Sequence, residues 1–168
     1  MARLTVEAPG GEVFEREVVH HPGAVVVVPI LDDGPAGAPA VLLVRQYRAA
    51  VDRWLLELPA GKRDVSGEAP EQTARRELEE EVGMRAGRME ELVSFYNSPG
   101  FCDEHTYVYL ARGLTPCDTS PHGVEEGLMA IEQLPLEAAA AMVRRGEIED
   151  AKTIVGLCLA RETLRQAG

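Results

Sequence analysis

The sequence predicts an α+β fold, a mixed β-sheet with helices packed on it. Three observations carry this. Short β-branched and apolar runs recur through the first two thirds of the chain. Helical spacing governs Pro70 to Val82, Leu136 to Arg145 and Asp150 to Gln166. No polar, Gly/Pro-rich stretch is long enough to be a linker, so the 168 residues suit one globular domain over 1–168. Apolar residues make up 45% and aromatic ones only 5%, which predicts an aliphatic core.

The elements follow in order. Glu12 to His20 alternates charges with Val13, Val18 and Val19 and reads as a marginal strand. Ala24 to Leu31 is apolar and β-branched, interrupted only by Pro29, so it reads as a buried strand. Asp32 to Pro39, with two Gly and two Pro, is a loop. Val41 to Tyr47 is a strand that pairs with the one before it, and Trp54 to Leu58 is a short one ended by Pro59-Ala60-Gly61. Pro70 suits the first residue of a helix, and Gly83 stops that helix after Val82. Glu91 to Tyr96 and Thr106 to Ala111 read as strands around a loop, Asn97 to Glu104. Thr115 to Gly127 is a second long loop, and Leu128 to Ile131 a strand. Leu136 to Arg145 is a helix stopped by Gly146. Asp150 to Gln166 is the last helix, with Ile154, Val155, Leu157, Cys158 and Leu159 turned inward. Trp54, the lone tryptophan, is expected in the core, with an adenine pocket as the alternative.

Charge and targeting signals narrow the function classes. With 17 basic and 28 acidic residues the net charge is −11. Such a chain gains no general attraction to nucleic acid or to an anionic membrane. A small anionic substrate is still compatible, because a bound divalent cation reverses the local field. Met1 to Glu12 lacks a signal-peptide core, and Ala24 to Leu31 is too short to span a bilayer. A cytoplasmic location is the expectation. Cys102, Cys117 and Cys158 are odd in number and form no CxxC pair, so free thiols are expected, with Cys158 a small core residue.

The chemistry concentrates in the central helix. Glu77, Glu80 and Glu81 are spaced i, i+3 and i+4 and share one face. Exposed like charges at that spacing repel by about 0.2–0.5 kcal/mol per pair. A hard divalent cation with oxygen ligands removes the repulsion. The bland competitor is a solvated acidic face. Ala74, Leu78 and Val82 supply only a narrow apolar stripe, so the acidic face need not point to bulk solvent.

A larger frame decides between them. Gly61 opens it, Glu68 follows, and after seven more residues come Arg76-Glu77-Leu78-Glu79-Glu80-Glu81-Val82-Gly83-Met84. This resembles the Nudix box, and a chance match is on the order of one in a million or rarer. One departure stands out: six residues, Lys62 to Gly67, separate Gly61 from Glu68, where the pattern has one fewer. The loop must bulge there, and Gly67 is the residue best able to take an unusual φ. The resemblance implies a Nudix fold, an α/β/α sandwich. It implies hydrolysis of a pyrophosphate bond with Mg²⁺, Mn²⁺ being the alternative, as two or three ions. Glu77, Glu80, Glu81 and the Ala60 carbonyl would be metal ligands. Gly61, Glu68 and Arg76 would support them, with Glu68 and Arg76 orienting the ligating carboxylates.

From about His21 to Arg145 the chain is similar to the ADP-ribose pyrophosphatase branch of that family. Val44-Arg45-Gln46-Tyr47-Arg48 matches the strand before the box, where Arg48 would touch substrate phosphate or ribose. Glu57-Leu58-Pro59-Ala60-Gly61 matches the approach to the box. Ser98-Pro99-Gly100-Phe101 places Pro99 sixteen residues after Gly83, the branch's spacing, with Glu104 where the terminal ribose is contacted. A Ser-Pro-Gly tripeptide alone is a turn, and an arginine-rich strand alone is a charge-protected edge. In His122-Gly123-Val124-Glu125-Glu126-Gly127 the resemblance favours Glu126 as general base, with Glu125 as the alternative. His20, His21 and His105 have no metal-ligand spacing.

The resemblance thus implies hydrolysis of ADP-ribose to AMP and ribose 5-phosphate by a homodimer whose N-terminal strands, within residues 1–20, are exchanged. The sister expectation is a hydrolase of another nucleoside diphosphate sugar such as GDP-mannose. A third class, a non-catalytic nucleotide-binding regulator, is disfavoured by the intact glutamates and by the lack of a basic DNA-binding segment.

Overall fold

The computed structural model describes residues 1–34, 37–118 and 129–166. Strands β1 (Ala2–Glu7) and β2 (Val13–Val18) form an antiparallel hairpin outside the main sheet. The main sheet holds β3 (Ala24–Leu31), β4 (Ala40–Arg48), β5 (Arg53–Glu57), β6 (Ala60–Lys62), β7 (Met84–Tyr96), β8 (His105–Pro116) and β9 (Ala130–Pro135). Helix α1 (Pro70–Val82) lies between β6 and β7, and α2 (Leu136–Arg145) and α3 (Ala151–Gln166) close the chain. The sheet runs β5-β4-β3-β8-β7, with β6 joined to β3 and β9 to β4. β3 is parallel to β8 and antiparallel to β4 and β6, so the sheet is mixed as predicted.

β3 is the centre because its side chains satisfy both faces. Val26, Val28 and Ile30 pack with Leu136 and Ala139 of α2 and Leu157 and Ala160 of α3. Val25 and Val27 point the other way, against Ala74, Leu78 and Val82 of α1. The period-2 alternation of a continuous apolar strand thus yields helices on both sides, the α/β/α sandwich. Leu78 is fully buried, a burial that stabilises by roughly 1.5–3 kcal/mol. The predicted narrow stripe on α1 is therefore its core face.

α1 has the predicted ends. Pro70 occupies the first turn, and Gly83 takes φ +66° while its N–H donates to the Leu78 and Glu79 carbonyls. Gly67 takes φ +81°, which absorbs the additional loop residue before Glu68. α3 begins at an Asp150 cap, whose Oδ2 accepts from the Thr153 N–H at 2.9 Å. Thr153 Oγ1 in turn accepts from the Leu58 N–H at 2.8 Å, which fixes the start of α3 to the chain just after β5.

Some expectations need correction. Cys158 is exposed, not a core residue. α3 buries Thr153, Gly156, Leu157 and Ala160; Ile154 is half-buried but packs on the core as expected, whereas Val155 and Leu159 are half-buried outside that cluster. Gly156 sets this choice: a Cβ there would stand 2.6 Å from Leu58 Cδ1, so the helix approaches the sheet at its glycine. Cys158, two residues further, is turned away by about 200°. Trp54 is likewise outside the core, 50% exposed and packed edge-on to Tyr47. β5 is the outer strand of the order, so nothing in the sheet covers it. Boundaries shift too. β7 and β8 extend beyond the predicted Glu91–Tyr96 and Thr106–Ala111, because their antiparallel register persists from Tyr96↔His105 to Met84↔Pro116. β1, β6 and the later placement of β9 had no strong apolar signal. Among the described residues no helix is long and apolar enough to cross a membrane.

Candidate active site

α1 turns Glu77 and Glu81 toward β6. Glu77 is buried against Gly61, where an added Cβ would lie 1.9 Å from the Glu77 carboxyl carbon. Glu81 Oε2 accepts the Ala60 N–H at 3.0 Å. Arg76 Nη1 reaches Glu77 Oε1 at 2.7 Å and Glu80 Oε2 at 3.0 Å, so one guanidinium screens two of the three clustered charges. Glu68 Oε2 is 3.5 Å from Arg76 Nη2, near enough for attraction but too long for a good hydrogen bond. Glu68 Oε2 instead accepts from Thr73 Oγ1 at 2.8 Å. Burial works against the Arg76 charge, and Glu77, Glu68 and Glu80 together outweigh it, so the guanidinium pKa is raised.

A second charged cluster borders the same cleft through Arg48, Asp150 and Lys152. Glu57 is buried at 1% exposure and is held by Arg48 through two bonds of 2.8 Å. Lys152 Nζ adds a bond of 2.6 Å to Glu57 and one of 2.7 Å to Asp150. Burial pushes the Glu57 carboxyl pKa up, but the Arg48 hydrogen bonds and the Lys152 charge win, and the net direction is down. Arg48 is raised, first by its hydrogen bonds to Glu57, with Glu81 among the more distant charges it senses.

The loop from Asn97 to Glu104 supplies the third wall. The Asn97 N–H donates to the Glu104 carbonyl at 3.1 Å, closing the loop. The chain after β2 holds it in place. Val19 N–H donates to the Phe101 carbonyl at 2.8 Å, and Asp103 Oδ1 accepts from the His21 N–H at 2.7 Å. The cleft has a volume of about 410 Å³ and is lined by Arg48, Ala60, Gly61, Ser98, Glu104 and Lys152 among others.

Of the sequence-predicted residues, the structure brings Arg48, Ala60, Gly61 and Glu104 to this cleft and sets Glu77 and Glu81 against its Ala60–Gly61 wall. Glu80 and Arg76 also border a neighbouring depression with Glu79 and Asp118. Pro99, Gly100 and Phe101 line a separate groove beside Val6, Phe14 and Val18 of the hairpin. Glu125 and Glu126 lie outside the described residues. Among the described residues no three His, Cys, Asp or Glu side chains form a ready metal cage. The donor chemistry nevertheless suits a hard divalent ion, with three carboxylates on one helix face and a glycine that makes room for one of them.

The sequence profile described as the NUDIX domain matches residues 20–157. The chain belongs to the Nudix domain family. An ADP-ribose pyrophosphatase of Bacillus subtilis (strain 168) is 40% identical, with 88% of this chain and 77% of the relative covered. An ADP-ribose pyrophosphatase of Mycobacterium tuberculosis is 43% identical over 94% of this chain and 73% of its own length. A solved structure described as an ADP compounds hydrolase superposes with a TM-score of 0.79 at 27% identity, covering 99% of this chain and 86% of that one. The fold is therefore the Nudix fold, and the protein is a Nudix pyrophosphohydrolase. Nudix hydrolases generally need a divalent metal ion.

Within this Nudix site, the sequence pointed to Glu57 only as part of a motif and to Asp150 only as the start of the last helix, and it gave no sign of Lys152. The one available signal was a glutamate inside a short apolar strand, where burial would demand a cationic partner. Gly61→Ala is expected to displace the Glu77 carboxylate and lower kcat by about 10- to 100-fold with the fold kept. Steady-state kinetics beside a circular dichroism melt checks this, and a normal kcat would show that the contact is dispensable.

Proposed function

We propose that this chain hydrolyses ADP-ribose to AMP and ribose 5-phosphate. The observation that supports this reading is one cleft lined by Arg48, Glu104, Ala60 and Gly61, with Glu81 of the glutamate helix bonded to the Ala60 N–H. The names and extent of the relatives support it. Glu77, Glu80, Glu81 and the Ala60 carbonyl would hold Mg²⁺, or Mn²⁺, as two or three ions. When bound, the metal supplies charge neutralisation at the diphosphate and activation of the attacking water.

The chain's own residues do the rest. Arg48 binds and orients the diphosphate, its guanidinium already fixed by Glu57. Glu104 takes hydrogen bonds from the terminal ribose. Glu126, with Glu125 as the alternative, removes the proton from the water that attacks phosphorus. As the new P–O bond forms, the bridging P–O bond breaks and its electrons leave with the phosphate that does not gain the water oxygen. Arg76 and Glu68 keep the ligating carboxylates in register. Pro99, Gly100 and Phe101, which line the groove beside the hairpin and not the cleft, would reach substrate together with residues 1–20 only through a cytoplasmic homodimer of single-domain chains.

A substrate panel with Mg²⁺ tests the reading. ADP-ribose is expected to give the highest kcat/KM among ADP-ribose, GDP-mannose, NADH, FAD, diadenosine polyphosphates and oxidised dGTP. A rank near the bottom would refute the specificity and leave the pyrophosphohydrolase intact.

A further inference from the structure

We propose that Lys152 is a second cationic contact for the substrate's diphosphate, acting beside Arg48 on the same wall of the cleft. The inference rests on the reading of the cleft as a nucleoside-diphosphate site. Donor counting is the starting point. An ammonium has three N–H donors and a guanidinium five. Lys152 commits two, to Glu57 Oε2 and Asp150 Oδ1, and three minus two leaves one. Arg48 commits two, both to Glu57, and five minus two leaves three. Glu57 meanwhile accepts three bonds from within the protein, which leaves about one of its four lone-pair sites. Asp150 is occupied by Lys152, the Thr153 N–H and Thr153 Oγ1. What this wall still offers a ligand is chiefly donors on cations, and both cations line the cleft.

Two further features point the same way. The Lys152 side chain is only 16% exposed, so its ammonium is held in place rather than roaming in solvent. It also belongs to the first turn of the 16-residue helix α3, whose Asp150 cap and Ala151 border the cleft. The positive end of the helix dipole adds to the attraction for an anion there. Neutralising Glu57 does not by itself require Lys152, since Arg48 already grips that carboxylate with two bonds. The competing role for Lys152 is a structural tie between α3 and β5.

Salt dependence separates the two. The affinity of the full chain for ADP-ribose is measured by calorimetry in EDTA, at about 0.05 M and about 0.5 M NaCl. Lys152→Met is expected to weaken binding about 10-fold at low salt. The ratio to wild type should shrink at high salt, and Lys152→Arg should bind within about threefold of wild type. Unchanged affinity in Lys152→Met, or a loss that is equal at both salt levels, would overturn the proposal. If Lys152→Met does not fold, Lys152→Gln takes the same measurement under the same criteria. If ADP-ribose ranks near the bottom of the Mg²⁺ substrate panel, the ADP-ribose reading fails. The same ratio taken with GDP-mannose then decides Lys152 separately.

Discussion

Glu81→Gln is expected to lower kcat/KM for ADP-ribose by at least about 10³-fold, equivalent to about 4 kcal/mol of barrier. The expectation follows from what the substitution keeps and removes. The amide oxygen of glutamine can still accept the Ala60 N–H, so the link between α1 and β6 survives. The negative charge does not survive, and a hard cation loses an anionic oxygen ligand. Stability should stay level or rise, because Glu81 stands one turn from Glu77 and next to Glu80 on a crowded acidic face. The decisive pair of measurements is kcat/KM at saturating Mg²⁺ and the thermal midpoint. Lost activity with an intact midpoint fits a metal ligand, and near-normal activity would remove Glu81 from that role.

How much of this was legible in the sequence depends on the range of the interaction. α1 was readable to the residue, because its start, its stop and its core stripe are all local. The burial of β3 was readable because its β-branched apolar run, Ala24 to Leu31, is itself local. Gly67 could be singled out because a one-residue insertion needs somewhere to bend. The inward set on α3 was misread because hydropathy alone favours Cys158 and Leu159. The helix instead approaches at Gly156, for a reason that lies on Leu58, far away in sequence. Trp54 was misplaced because an edge position in the sheet order is not written in the strand itself. The loop tripeptide was located by its spacing, but spacing does not say which groove Pro99 and Phe101 face. That is set by the hydrogen bonds from Val19 and His21.

The Glu57 cluster was the least legible part, and it carries the largest expected effect on stability. Its members come from β4, β5 and the start of α3, so the sequence separates Glu57 and Lys152 by 95 positions. Glu57→Gln keeps the shape and some hydrogen bonds but leaves Arg48 and Lys152 facing each other without the intervening charge. Breaking a buried pair on one side costs about 3–5 kcal/mol, and the low end applies here because Arg48 is partly solvated. About 3 kcal/mol corresponds to a fall of roughly 6–12 °C in the thermal midpoint for a chain of this size. The pH dependence gives an independent check. Glu57 has its folded-state pKa below the ordinary glutamate value. Its stabilisation is therefore fully present above about pH 4.5, the ordinary unfolded range, and fades as the pH falls through the lower folded-state value. Urea unfolding of both proteins should show the full gap at pH 7 and a gap that narrows progressively below that range. A gap that stayed constant down to acid pH would mean that the glutamine is harmful through shape alone. The charge of Glu57 would then have no part in holding Arg48 and Lys152 at the cleft.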